Sequence, residues 1–168
     1  MPDPTEPWFV LNATQAPWEA TPGWGRVARL EPPGTRFRDF AINIQVIEPG
    51  ERSTMYHGED AQEGFLVLSG SCTLIVEGEE RALEAWDFLH CPAWTRHAFA
   101  NTGDEPCAIV MVGARRDGAE ADCEYPVEPV AQRVGASVEA ATWDPAVAYA
   151  QTPEGVAEDY RGGTLPGA

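Results

Sequence analysis

The clearest signal along the chain is a period of two in apolar and polar positions. Residues 40–48 read FAINIQVIE, with Phe40, Ile42, Ile44 and Val46 on one side and Asn43, Gln45 and Ile47 on the other. Successive side chains of a strand point to opposite faces, so this spacing predicts a half-buried strand. Pro49-Gly50 stops it with turn chemistry. Further short runs follow, separated by turn residues: 53–57, 64–69 (GFLVLS), 72–77 (CTLIVE), 81–83, 87–91 (DFLHC), 97–101 and 106–112 (PCAIVMV). Gly70 turns the chain between two of them, and Glu77-Gly78-Glu79 is a hairpin signal. Upstream, 1–7 reads as a loose proline-rich arm and 8–12 as an edge strand. Residues 13–25 read as a loop pinned by Trp18 and Trp24, and 26–30 as a strand closed by Pro32-Pro33-Gly34.

After Gly113 the period of two is lost. Residues 114–168 are rich in alanine, proline and acid. A short helix is expected between 125 and 134, and Asp144 followed by Pro145 marks the start of another. Short strands at regular spacing indicate an all-β sandwich or barrel. The expected organisation is an arm over 1–25, one barrel over 26–113, and a tail over 114–168 that packs on the barrel or on a partner subunit.

Composition narrows the partners. The 168 residues carry 27 acidic and 11 basic side chains, a formal charge of −16. Such a surface repels phosphate, which argues against nucleic acid and anionic membrane. No apolar run approaches the ~20 residues that cross a bilayer. The amino terminus has neither a basic leader nor an apolar stretch, so a cytoplasmic location with reduced thiols is the expectation. Cys72, Cys91, Cys107 and Cys123 form no C-x-x-C pair.

All three histidines, His57, His90 and His97, fall in the strand-rich block. A divalent metal needs three or four nitrogen, oxygen or sulfur donors converging on one point. Residues two apart on a strand share a face, which pairs His57 with Glu59. Glu63 opens the next strand, and His97 opens a later one. This donor set suits zinc, iron, manganese, nickel or copper. His90 and Cys91 take opposite faces of their strand, and Cys91 reads as a buried small hydrophobe. His90 or Tyr56 is a candidate to move a proton. Tyr56 and Gln62 flank the ligands, Trp86 and Trp94 read as core fillers, and Arg115-Arg116 as solvated charges.

The block resembles the cupin superfamily, whose first motif is G-x5-H-x-H-x(3,4)-E-x6-G. Here Gly50 is followed after six residues by His57-Gly58-Glu59, after three more by Glu63, and after six more by Gly70. The second motif is G-x5-P-x-G-x2-H-x3-N. It corresponds to Trp86, Pro92, Trp94, His97 and Asn101, with both motif glycines replaced by tryptophan. The resemblance implies a single jelly-roll barrel binding one divalent ion through His57, Glu59, Glu63 and His97. It implies a metal-dependent enzyme that oxidises or isomerises a small molecule, with zinc, iron or manganese as the ion. The alternative is a non-catalytic module that binds a small ligand. A homodimer is the expected assembly.

Overall fold

The computed structural model describes residues 8–31, 34–115 and 120–168. The arm at 1–7, Pro32-Pro33 and Arg116 lie outside the described residues. The described chain is all-β with two single-turn α-helices and a 3-10 turn at Ala13–Gln15. Its strands are β1 (Trp18–Thr21), β2 (Gly25–Arg29), β3 (Phe40–Ile47), β4 (Gly58–Glu59), β5 (Glu63–Ser69) and β6 (Ser71–Val76). They continue with β7 (Glu79–Glu84), β8 (Phe88–Cys91), β9 (His97–Ala100), β10 (Cys107–Ala114), β11 (Cys123–Glu124) and β12 (Val156–Glu158). The helices are α1 (Pro129–Gln132) and α2 (Pro145–Ala148). Asp144 caps α2 by accepting the Ala146 N–H, with Pro145 in the first turn, as the sequence predicts.

A seven-stranded sheet in the order β12-β1-β2-β3-β10-β5-β8 packs against a three-stranded sheet β7-β6-β9. All the pairings are antiparallel. Between the sheets lie Ile47, Phe65, Val67, Cys72, Leu74, Cys91, Phe99, Cys107 and Ile109, the closed end of a jelly-roll barrel. All four cysteines are free thiols.

The alternation in β3 is real, but its apolar side faces outward. Ile44 and Val46 pack with Trp18, Ala28, Ala108 and Leu165 in a second core outside the large sheet. The inner side carries Ala41 and Asn43, which line a cavity, then Gln45 and Ile47. Gln45 is buried and its amide donates to the Trp24 and Ser53 carbonyls at 2.8 and 3.2 Å. The outer face is apolar because both ends of the chain cover it.

Three local expectations are corrected. Residues 13–25 contain β1, between Pro17 and Pro22, whose partners are β2 and the distant β12. The run 8–12 forms no strand. Residues 53–57 are bends rather than a strand, joined to β9 only by isolated bridges such as His57 to His97. The tail lies on its own barrel. Its α1 segment places Ala131 and Ala136 against Tyr56, Ile75 and Ala98, and β11 pairs with β4. Among the described residues no helix is long and apolar enough to cross a membrane.

Candidate metal centre

The open end of the barrel holds a cavity of about 200 Å³. Into it project His57, Glu59, Glu63 and His97, beside Phe65, Phe99 and Met111. His57 and His97 face each other across a bridge, exchanging backbone hydrogen bonds of 3.2 and 2.8 Å. This pairing fixes their ring centroids 4.9 Å apart. Glu63 enters from the first residue of β5. Its Oε2 lies 3.4 Å from His97 Nε2.

Donor atoms of His57, Glu63 and His97 all lie within 4.8 Å of one another, an arrangement that could hold a metal ion. The ring hydrogen bonds agree with that use. His57 Nδ1 lies 2.8 Å from the Met55 carbonyl, and His97 Nδ1 lies 3.0 Å from the Thr95 carbonyl. A carbonyl only accepts, so each Nδ1 carries the proton and each Nε2 presents a bare lone pair. Ligating histidines are commonly held in this way, with the second nitrogen bonded to a carbonyl.

Electrostatics keep the cluster uncharged when it holds no cation. Burial lowers the pKa of both imidazoles. For His97, only 1% exposed, burial and then the neighbouring His57 bring it to about 3. Burial, and then the Glu59 charge, push Glu63 up to about 8. Burial likewise pushes Glu59 up to about 7. A divalent cation would reverse this, favouring the carboxylates and displacing their protons.

The consequence for metal-free protein has a definite sign. Carboxyls with raised pKa bind more protons folded than unfolded, and the buried imidazoles bind fewer. Above pH 6.5, the unfolded imidazole value, the histidines lose importance and the carboxyls decide the trend. Stability of chelator-treated protein should therefore fall by about 1–2 kcal/mol between pH ~6.5 and ~8. Thermal unfolding at the two pH values measures it. A rise would mean that Glu59 and Glu63 are already ionised in the folded state.

The remaining sequence candidates are placed as follows. Glu59 lies in the cavity but outside the converging group. Its Oε2 accepts a weak hydrogen bond from Cys123 Sγ at 3.8 Å. The period of two does put Glu59 on the cavity side with His57, since 57–59 is extended, but its carboxylate does not join the converging donor atoms. Tyr56 is buried away from the cavity, under α1, and its hydroxyl accepts the Gly78 N–H at 3.1 Å. His90 faces outward from β8 with Gln62 Oε1 3.4 Å away, while Cys91 takes the interior. Neither Tyr56 nor His90 reaches the cavity that the two candidate proton carriers were expected to serve.

Trp86 and Trp94 are exposed, at 70% and 43%, and line no part of this cavity. Both adopt a left-handed backbone that favours glycine, with φ of 77° and 69°. Arg115 is not solvated. It forms a two-pronged ion pair with Glu31, at 2.6 and 3.0 Å, at the cavity wall. Asn101 is structural, its amide donating to the Ile47 and Glu105 carbonyls.

Two contributors carry no sequence signal. Tyr125, brought in by β11 and the tail, stacks 5.9 Å from His57. Thr54 lines the cavity with a buried hydroxyl that has no hydrogen-bond partner. Gly113 lies beside both glutamates: a Cβ built there would stand at ordinary contact distance, 3.7 Å from Glu59 Oε1 and 4.0 Å from Glu63 Cγ.

The family model for the cupin domain matches residues 43–113, the segment that contains every residue of the converging group. A 5-nitrosalicylic acid 1,2-dioxygenase from a Bradyrhizobium species is 34% identical over 68 residues, 40% of this chain and 32% of that protein. Gentisate 1,2 dioxygenase 1 of Aquipseudomonas alcaligenes is 29% identical over 86 residues, 48% of this chain and 25% of that one. The chain thus spans about a third or less of the length of these two relatives. A solved structure of a sugar phosphate isomerase from a cupin superfamily, from Silicibacter pomeroyi, aligns over 94% of this chain and 88% of its own. Its identity is 20% and its TM-score 0.53, a likeness of fold alone.

Proposed function

We propose, from the match of residues 43–113 to the cupin domain, that the chain is an iron-dependent oxygenase of a small molecule. One observation carries the reading: two imidazoles and a single carboxylate converge in a cavity. Two histidines with one carboxylate and open positions is the donor set of non-haem ferrous oxygenases. The similarity to two aromatic-ring dioxygenases supports the same chemistry. His57, Glu63 and His97 would hold the ion. Bound there, it supplies dioxygen chemistry and polarisation of a substrate oxygen.

The chain's own residues do the rest. The carbonyls of Met55 and Thr95 orient the two rings. Phe65, Phe99 and Met111 present an apolar wall to a flat substrate. The free hydroxyl of Thr54 offers a polar contact, and Glu59 stands in the cavity where it can hold a substrate proton. A cavity of about 200 Å³ is smaller than the roughly 300–1,000 Å³ of drug-sized sites, which suits a small substrate, and the two dioxygenase relatives make a hydroxylated aromatic acid the class to test first.

Oxygen uptake by ferrous-loaded protein tests this. With gentisate, salicylate and 5-nitrosalicylate, at least one should drive uptake of one dioxygen per substrate consumed. Manganese- or zinc-loaded protein should be slower. Thermal stabilisation by these acids without any uptake or conversion would replace the enzyme with a binding module.

A further inference from the structure

A second cavity, of about 450 Å³, shares no lining residue with the first. It lies between residues 52–55 and the tail, and its walls include Trp24, Arg52, Met55, Val138 and Thr152. Arg52 is unusual in this chain. The eleven basic residues are all arginines, set against 27 acids. Among the described residues, seven of them make ion pairs with glutamates. The half-buried Arg52 guanidinium makes none among the described residues, and its Nε has no hydrogen-bond partner. It lies instead over the face of Trp24, 4.0 Å from the ring centre. A Cβ built on Gly135 would stand 3.3 Å from its NH1, so the tail backbone closes on the same group.

Stacking satisfies the face of a guanidinium and leaves its edge, where the N–H donors point, without acceptors. An arginine stays charged throughout the usable pH range, so this edge calls for an anion. Thr152 adds a second vacancy: its hydroxyl is buried in the same cavity wall and also lacks a partner. Beside these two polar groups the wall carries Trp24, Met55, Val138 and Ala148, with Ser137 and Gln151 among its polar residues. One glutamate, Glu139, stands at the exposed rim and penalises a dianion more than a monoanion.

We propose that this cavity binds a small organic carboxylate, its carboxylate on the edge of Arg52 and beside Thr152, its apolar body against Trp24 and Val138. The fork of a guanidinium matches a carboxylate with two parallel hydrogen bonds. The site is separate from the metal centre and does not depend on its chemistry.

Isothermal titration of chelator-treated protein with benzoate, at low ionic strength, tests the proposal. One saturable site per chain is expected, retained in His57→Ala and weakened at least about tenfold in Arg52→Met. Thr152→Val should weaken it severalfold. Inorganic phosphate should bind more weakly than benzoate. Absence of saturable binding, or equal binding by Arg52→Met, overturns the site, and tighter binding of phosphate overturns the carboxylate assignment. If Arg52→Met does not fold, the Arg52 Nε–H resonance of the wild-type protein decides. It should move to saturation with benzoate, and a resonance that stays in place overturns the site.

Discussion

Replacing His97 by alanine should remove metal and turnover together. The ring is buried except toward the cavity: it packs at a tilt against Phe65 at 5.0 Å and His57 at 4.9 Å, and edge-on against Phe99 at 5.9 Å. Its Nδ1 proton is committed to the Thr95 carbonyl, which leaves Nε2 as the only nitrogen that can face an ion. Loss of one donor from three leaves a pair, too few to hold a divalent ion against solvent. After equilibrium dialysis, metal per chain should fall from about one to below roughly a tenth, and oxygen uptake by about 10³-fold or more. His97→Gln, which keeps polarity and most of the volume, should restore the fold but not the metal. Full metal content in either variant would place the ion elsewhere.

The second large effect concerns the turn that makes the barrel possible. Gly70 joins β5 of the large sheet to β6 of the small one, with φ of +70°. A Cβ at this position would lie 2.1 Å from the Pro106 carbonyl oxygen and 3.0 Å from its carbon. Both are backbone atoms at the start of β10, which is held on one side by β3 and on the other by β5. Neither can move without shifting that register. Gly70→Ala combines a left-handed backbone with this overlap, so a loss of about 3 kcal/mol or more is expected. Denaturant unfolding at fixed metal content measures it. Since domains are commonly stable by about 5–15 kcal/mol, the variant should unfold well below the wild-type midpoint. A change under about 1 kcal/mol would mean the turn relaxes freely.

The sequence was most informative where the physics is local. Eight of the strands follow from apolar runs bounded by turn residues, and Asp144-Pro145 marks its helix start directly. It was least informative where a partner lies far along the chain. Strand β1 sits between prolines and has only four residues, so no local pattern distinguishes it from a loop. Its partner β12 has three residues and lies in the tail. The alternation of β3 was legible, but which side was interior was not. Apolar residues face the covering arms there, and the polar side faces the cavity that His57, Glu63 and His97 line.

The candidate site shows the same division. His57, Glu63 and His97 follow from motif spacing because each stands on or beside a barrel strand. Glu59 shares the cavity face with His57, as strand geometry predicts, yet facing one cavity does not by itself bring a carboxylate into the converging group. Tyr125 and Thr54 have no sequence signature, since one arrives from the tail and the other is identified only by a buried, unpartnered hydroxyl. Trp86 and Trp94 stand in the motif's glycine positions and adopt left-handed backbone angles, which residue type alone would not suggest.

X-ray absorption at the iron edge of ferrous-loaded wild-type protein tests the metal centre most directly. Two imidazole rings and an oxygen-rich remainder should appear in the coordination shell, as His57, His97 and Glu63 require. A shell of oxygen atoms without imidazole scattering would contradict the assignment and with it the proposed oxygenase.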